Sequence, residues 1–116
     1  MTLVDTSVWI EHFRRGDAEL GQLLEDGMVL VHPFVIGEIA CGTLARRPEV
    51  LEHLRHLPAA PVATEAEVHH LLESHGLAGR GLGWVDMHLL ASARLGAVPL
   101  LTRDRALDTA TRRVLA

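Results

Sequence analysis

Short apolar runs alternate with segments of helical character along the 116 residues of the chain. The runs at residues 2–4, 28–31 and 97–101 predict strands, and the proline-bounded stretch at residues 58–63 predicts a short extended segment. Strands separated by helices form parallel sheets that are covered on both faces. The alternation therefore predicts an α/β fold, a three-layer α/β/α sandwich with a short, mostly parallel central sheet.

Helix signals fill the intervals between these runs. Thr6 or Ser7 is a suitable cap for a helix that ends near Arg15, before Gly16, and Thr64 with Glu67 forms the pattern of a capping box. Further helices are predicted over residues 17–26, 33–41, 48–56, 64–75, 84–95 and 104–115.

Length and composition indicate one domain over residues 1–116, with enough apolar residues for a core of its own. The formal net charge is -4, so a polyanion would have to bind at a local site rather than through a general basic field. Cys41 is the single cysteine, which fits a reducing cytosol better than a secreted setting. No apolar run reaches membrane-spanning length, so we expect a cytoplasmic protein that does not bind a membrane.

Four acidic residues stand in unusual places. Asp5 directly follows the first predicted strand, and Asp104 stands just beyond the last one. Asp86 lies in the first turn of a helix, and Glu38 lies in the apolar stretch FVIGEIACG. Taken singly, each has an ordinary explanation as a turn residue, a helix cap, an acid that favours the helix dipole, or a paired surface acid.

Taken together, these acids predict a metal site. The carboxyl ends of adjacent parallel strands meet at one edge of the sheet, where the sites of α/β proteins form. Carboxylates that meet there raise each other's pKa unless a cation neutralises them. Oxygen ligands without Cys or His favour Mg²⁺ or Mn²⁺ over zinc, and such ions activate water for the cleavage of phosphodiesters.

The motifs LVDTSVWI, Glu38 in a following helix, GWVDMHLLASA and LLTRD occur in this order over nearly the whole chain. In this combination the sequence resembles the PIN domain, and in particular the VapC-type toxins of bacterial toxin-antitoxin pairs. The resemblance implies an acidic quartet of Asp5, Glu38, Asp86 and Asp104. Asp5 and Asp86 would be the main metal ligands, Asp104 a direct or water-mediated third, and Glu38 a ligand or a base that orients water.

The resemblance also implies binding residues and partners. Thr6 and Thr102 would lie at the rim and bind a carboxylate, a water or a phosphate, and RNA would be the substrate. A homodimer silenced by a cognate antitoxin protein is the expected assembly. One departure is that no strand follows the predicted helix at 104–115, so the last edge strand is expected to be very short or missing, and Asp108 is a weaker substitute for Asp104.

The sequence fits other families that bind nucleotides or transfer phosphate less well. Haloacid-dehalogenase phosphatases need a second Asp where this chain has Ser7, and receiver domains and P-loop NTPases need a lysine, which this chain lacks. The GRGLG stretch at residues 79–83 follows a helix rather than a strand, so it predicts a loop that borders the site, with Arg80 available to phosphate.

The remaining histidines and arginines are expected to be mainly solvated. His12, His32 and His88 are the histidines we consider as candidates to face RNA. Pairs such as Arg112 and Arg113 are ordinary surface by default, although arginines that flank the site are suited to fix phosphates.

The sequence thus leads to a hypothesis of a Mg²⁺- or Mn²⁺-dependent endoribonuclease. The alternative is a PIN-like module that binds RNA or protein and has lost effective catalysis.

Overall fold

The computed structural model describes residues 1–115. Three short strands, β1 (Thr2–Val4), β2 (Val29–Leu30) and β3 (Leu100–Leu101), form one parallel sheet in the order β2-β1-β3. Leu3 of the central strand is paired with Leu30 on one side and with Leu100 on the other. The predicted parallel sheet is therefore confirmed, with β1 at its centre.

Seven helices surround this sheet in the described part of the chain. They are α1 (Thr6–Arg15), α2 (Ala18–Glu25), α3 (Pro33–Cys41), α4 (Arg47–His56), α5 (Glu65–Ser74), α6 (Trp84–Gly96) and α7 (Arg105–Val114). Each observed boundary lies within one residue of the prediction, because caps such as the Thr64–Glu67 capping box are local signals. Between residues 1 and 115, no helix is long and apolar enough to cross a membrane.

The sheet is smaller than the apolar runs suggested. Residues 58–63 contribute only one isolated parallel bridge, between Ala59 and Val31. Within residues 1–115 no strand follows α7. The fold is thus a PIN-like α/β/α arrangement around a three-stranded sheet.

The core forms around β1 and α6. Leu3 and Val4 have no exposed surface, and all residues of α6 from Met87 to Ala93 are buried. Helix α6 packs against α5, α7 and β3, whereas α3 packs against α1 and α4. The helices that carry two of the four acids are therefore fixed by their apolar faces.

His32 and His88, which we considered as candidates to face RNA, are buried instead. The expectation is therefore wrong for these two histidines. His32 is 0% exposed and His88 is 4% exposed, and their rings lie 6.4 Å apart. The Nδ1 atom of His32 accepts a hydrogen bond from the N–H of Phe34 at 2.9 Å, so the imidazole caps the start of α3. His12, the third candidate, is partly buried and accepts a hydrogen bond from the N–H of Asp17 at 3.1 Å.

Burial of His32 makes the free energy of unfolding depend on pH. Removal from water, and secondarily the charge of His88, lowers the pKa of His32 from 6.5 to about 4. Between these two values the unfolded chain binds more protons than the folded chain. The free energy of unfolding therefore falls as the pH drops from 6.5 toward 4, by up to about 3 kcal/mol from this residue.

We predict that His32→Asn reduces this acid sensitivity. Asparagine still accepts a hydrogen bond from the N–H of Phe34 but does not titrate. Urea unfolding at a series of pH values from 7.5 to 4 should show a smaller loss of stability for the variant than for the wild type. His70→Asn, at an exposed histidine, is the matched control and should follow the wild-type curve. Parallel curves for wild type and His32→Asn would contradict the prediction.

Candidate active site

Asp5 is held where β1 ends and α1 begins. Its N–H donates a hydrogen bond to the carbonyl oxygen of Leu101 in β3 at 2.9 Å, and its side chain is only 5% exposed. Although Asp5 is the N-cap residue of α1, its carboxylate does not cap the helix. Instead, Oδ2 accepts hydrogen bonds from Ser7 Oγ at 2.6 Å and from Thr102 Oγ1 at 2.8 Å. The two hydroxyls therefore fix the orientation of the carboxylate.

Thr102 connects Asp5 to Asp104. Its hydroxyl donates to Asp5 and accepts a hydrogen bond from the N–H of Asp104 at 3.0 Å. Thr102 is 7% exposed, so the structure places it beneath the carboxylates rather than at the rim, where we expected it. Ser7, which the sequence suggested as a helix cap, accepts a hydrogen bond from the N–H of Arg103 at 2.9 Å.

Asp104 begins α7 and is exposed to solvent. Its Oδ2 atom accepts a hydrogen bond from the N–H of Leu107 at 2.9 Å. The ordinary function of a helix cap is therefore present. The cap and the candidate site do not exclude each other, because the cap uses one carboxylate oxygen.

Asp86 shows most directly that the acids lie near one another. Partial burial raises its pKa, and the negative charges of three other residues raise it further, those of Asp5, Asp104 and Glu38. A hydrogen bond from the N–H of Gly83 to Oδ2 at 2.8 Å acts in the opposite direction. The structure thus brings the four acids into electrostatic contact around Asp86.

Glu38 is exposed on α3, while Val35 and Ile39 of the same helix face the core. Its Oε1 atom accepts a hydrogen bond from Thr6 Oγ1 at 2.7 Å, which links α3 to the start of α1. The hydroxyl of Thr6 therefore orients an acid. Arg80, the third expected binding residue, is exposed, and its Nε donates to the carbonyl oxygen of Gly76 at 2.9 Å.

The four acids share one arrangement. In each, the hydrogen bonds formed within residues 1–115 reach a single carboxylate oxygen and leave the other oxygen without a partner from the protein. The anchoring donors are hydroxyl and backbone N–H groups, which carry no charge. The side chains are therefore oriented without being neutralised, and their free oxygens are available to a ligand.

An ion pair that the sequence did not reveal secures the segment before Asp104. The guanidinium of Arg103 donates to both oxygens of Asp17, at 2.9 and 3.0 Å from Nη2, and to Glu19 at 3.1 Å. Asp17 is 8% exposed, and its pKa is held below its usual value first by the N–H of Leu20 and then by Arg103. This pair ties the segment after β3 to the corner between α1 and α2.

The donor set fits a hydrated divalent cation. Within residues 1–115, no three His, Cys, Asp or Glu side chains form a ready-made metal cluster. Mg²⁺ does not need one, because it usually keeps several waters and binds through one or two carboxylates. The free oxygens of Asp5, Asp86 and Asp104 provide such ligands, and a cation would also relieve the repulsion that raises the pKa of Asp86.

Comparison with known proteins agrees with this geometry. The model of the PIN domain family matches residues 2–112, a span that includes all four acids. Two curated proteins named Ribonuclease VapC32, from Mycobacterium tuberculosis strains CDC 1551 / Oshkosh and ATCC 25618 / H37Rv, are each 50% identical to the chain over 111 residues. The match covers 95% of this chain and 90% of each relative. The chain therefore belongs to the PIN domain family.

Proposed function

We propose that the protein is a Mg²⁺- or Mn²⁺-dependent endoribonuclease that acts as the toxin of a toxin-antitoxin pair. The observation that carries the proposal is that Asp5, Asp104 and Glu38 lie close enough to Asp86 for their negative charges to raise its pKa, in addition to the larger effect of its burial. The relatives named Ribonuclease VapC32, which match almost the whole chain, support RNA as the substrate.

In this proposal the residues have distinct functions. Asp5 and Asp86 are the main ligands of the cation, and Asp104 is a third ligand, directly or through water. When bound, the cation supplies Lewis-acid chemistry that favours the attack of water on a phosphodiester. Ser7 and Thr102 keep the free oxygen of Asp5 directed toward the site by holding the other one.

Glu38 is the residue best suited to orient the attacking water, or to complete the ligand set. Thr6 holds one of its oxygens, and its other oxygen is exposed to solvent near Asp86. A carboxylate in this position can accept a proton from water as a general base. Arg80 is a further candidate to contact a phosphate of the substrate.

The proposed partners follow from the family. We infer a homodimer in the cytoplasm and a cognate antitoxin protein that covers the carboxylates and so prevents RNA from reaching them. The competing function is a PIN-like module that binds RNA or protein without cleaving it. A cleavage assay separates the two functions.

We predict that the wild-type protein cleaves structured RNA in Mg²⁺ or Mn²⁺, that EDTA stops cleavage, and that Asp5→Asn lowers the initial rate by at least about 100-fold. Asparagine retains an oxygen that accepts hydrogen bonds from Ser7 and Thr102, so the fold should survive. Gel electrophoresis of labelled RNA gives the rates.

Asp26→Asn is the matched control for this assay. Asp26 is an exposed acid that follows α2 and accepts a hydrogen bond from the side-chain amide of Gln22 at 3.1 Å, and its substitution should leave the rate unchanged. Absence of metal-dependent cleavage by the wild type, or equal cleavage by Asp5→Asn, would contradict the nuclease proposal and favour the binding module.

We also predict that Glu38→Gln weakens Mn²⁺ binding by about 10- to 100-fold without lowering the thermal midpoint in EDTA. Glutamine can still accept the hydrogen bond from Thr6, whereas loss of the charge reduces the repulsion on Asp86. Titration calorimetry measures the affinity and thermal unfolding measures the midpoint. Unchanged affinity together with a large loss of stability would show that Glu38 is only a structural residue.

A further inference from the structure

A groove of about 680 Å³ lies beside the carboxylates and includes Asp104 in its lining. Helix α7 forms one wall, and the glycine-rich loop at residues 76–83 forms the other. The loop lies close to the helix, since a Cβ atom added to Gly81 would be 3.5 Å from the Cβ of Ala106. Gly81 also has a φ of +81°, a conformation that favours glycine. The groove therefore lies between α7 and the loop and includes one of the four acids, Asp104, in its lining.

Helix α7 presents two different stripes of side chains. Asp108 and Arg112 are four residues apart and form an ion pair at 3.1 Å, so their charges cancel. Arg105, Thr109 and Arg113 recur at the same spacing on the neighbouring stripe, and this stripe lines the groove. Adjacent arginines in the sequence, 112 and 113, therefore have different electrostatic surroundings.

Three arginines of the groove are not neutralised by a carboxylate side chain in the described part of the chain. Neither Arg105 nor Arg113 forms a salt bridge with a carboxylate side chain of residues 1–115, and the one hydrogen bond of Arg80 in that range goes to a backbone carbonyl. We call the groove lined by Arg80, Arg105 and Arg113 the arginine groove. It is a local concentration of positive charge in a chain with a formal net charge of -4.

We propose that the arginine groove binds the backbone phosphates of a single-stranded RNA segment that continues into the four carboxylates. This inference rests on the proposed ribonuclease function and identifies where the flanking part of its substrate is held. The carboxylates repel phosphates, so a polyanion needs positive charge beside them in order to approach. Guanidinium groups supply that charge and match the geometry of phosphate oxygens.

The lining favours contact with the RNA backbone rather than with its bases. It contains aliphatic and small residues but no aromatic ring on which a base could stack. Arg105 and Arg113 are eight residues apart, which corresponds to about 12 Å along the helix. At this distance the two guanidinium groups bind different phosphates, so the groove fits an extended strand better than a single anion.

Binding of a fluorescent single-stranded RNA oligonucleotide tests the inference. The Asp5→Asn protein serves as the background, so that binding is measured without cleavage, and fluorescence anisotropy is recorded between 50 and 200 mM salt. We expect that adding Arg105→Gln and Arg113→Gln weakens binding about tenfold or more. The slope of log K against the logarithm of the salt concentration should become less negative by about 1.4, because each lost phosphate contact reduces the magnitude of the slope by about 0.7.

Arg112→Gln in the same background is the control, since it removes one positive charge from the same helix outside the groove. Its affinity should stay within about twofold of the background protein, with an unchanged salt slope. If Arg112→Gln weakens binding as much per charge as the groove variant, or if the groove variant keeps the original slope, the inference is overturned. Arg105, Arg112 and Arg113 are all exposed, so the thermal midpoints of the variants should agree.

RNA binding by the arginine groove can be separated from RNA cleavage and from the binding of an acidic protein. If the wild type does not cleave RNA but the groove variant loses affinity and slope, the nuclease proposal fails while the RNA-binding groove stands. If the groove variant binds RNA normally but loses binding to polyglutamate, the groove serves an acidic protein segment and the inference is overturned.

Discussion

The hydroxyl of Thr102 is the interaction on which the site depends. It donates to Asp5 and accepts from the N–H of Asp104, and so joins the end of β1 to the segment after β3. This contact exists because Val4 pairs with Leu101 in the parallel sheet, which places the next residue of each strand side by side. A slip of one residue would turn these side chains to opposite faces. The geometry of the acids is therefore a consequence of strand register.

A second feature of the site is that none of its four acids forms a salt bridge with a cationic side chain within residues 1–115. Arg103 directly precedes Asp104, yet its guanidinium points to Asp17 and Glu19 and is neutralised there. The groups that orient the four acids are hydroxyls and backbone N–H groups, which add no positive charge. The repulsion that raises the pKa of Asp86 therefore persists in the folded protein. An internal salt bridge to one of these acids would have reduced this repulsion.

The sequence predicted those features that local signals determine. Helix boundaries follow from caps and glycines, and the convergence of Asp5 and Asp104 follows from the rule that parallel strands end at one edge. Contacts between distant segments could not be predicted in this way. The Arg103–Asp17 pair joins residues 86 positions apart, and His32 is buried with its ring beside those of Phe34 and His88. Both result from tertiary packing, which the spacing of residues along the chain does not encode.

The arginines of α7 show why net charge is a poor guide to the binding of a polyanion. A value of -4 averages over all charged groups, whereas a phosphate responds to the charges within about 10 Å of it. Which charges remain effective depends on pairing: Asp108 neutralises Arg112, four residues away, and does not pair with Arg113. The helical period therefore separates two neighbouring arginines into one balanced and one unbalanced stripe. Because the unbalanced stripe lines the groove that contains Asp104, an acidic chain can still present positive charge beside one of the acids of the proposed site.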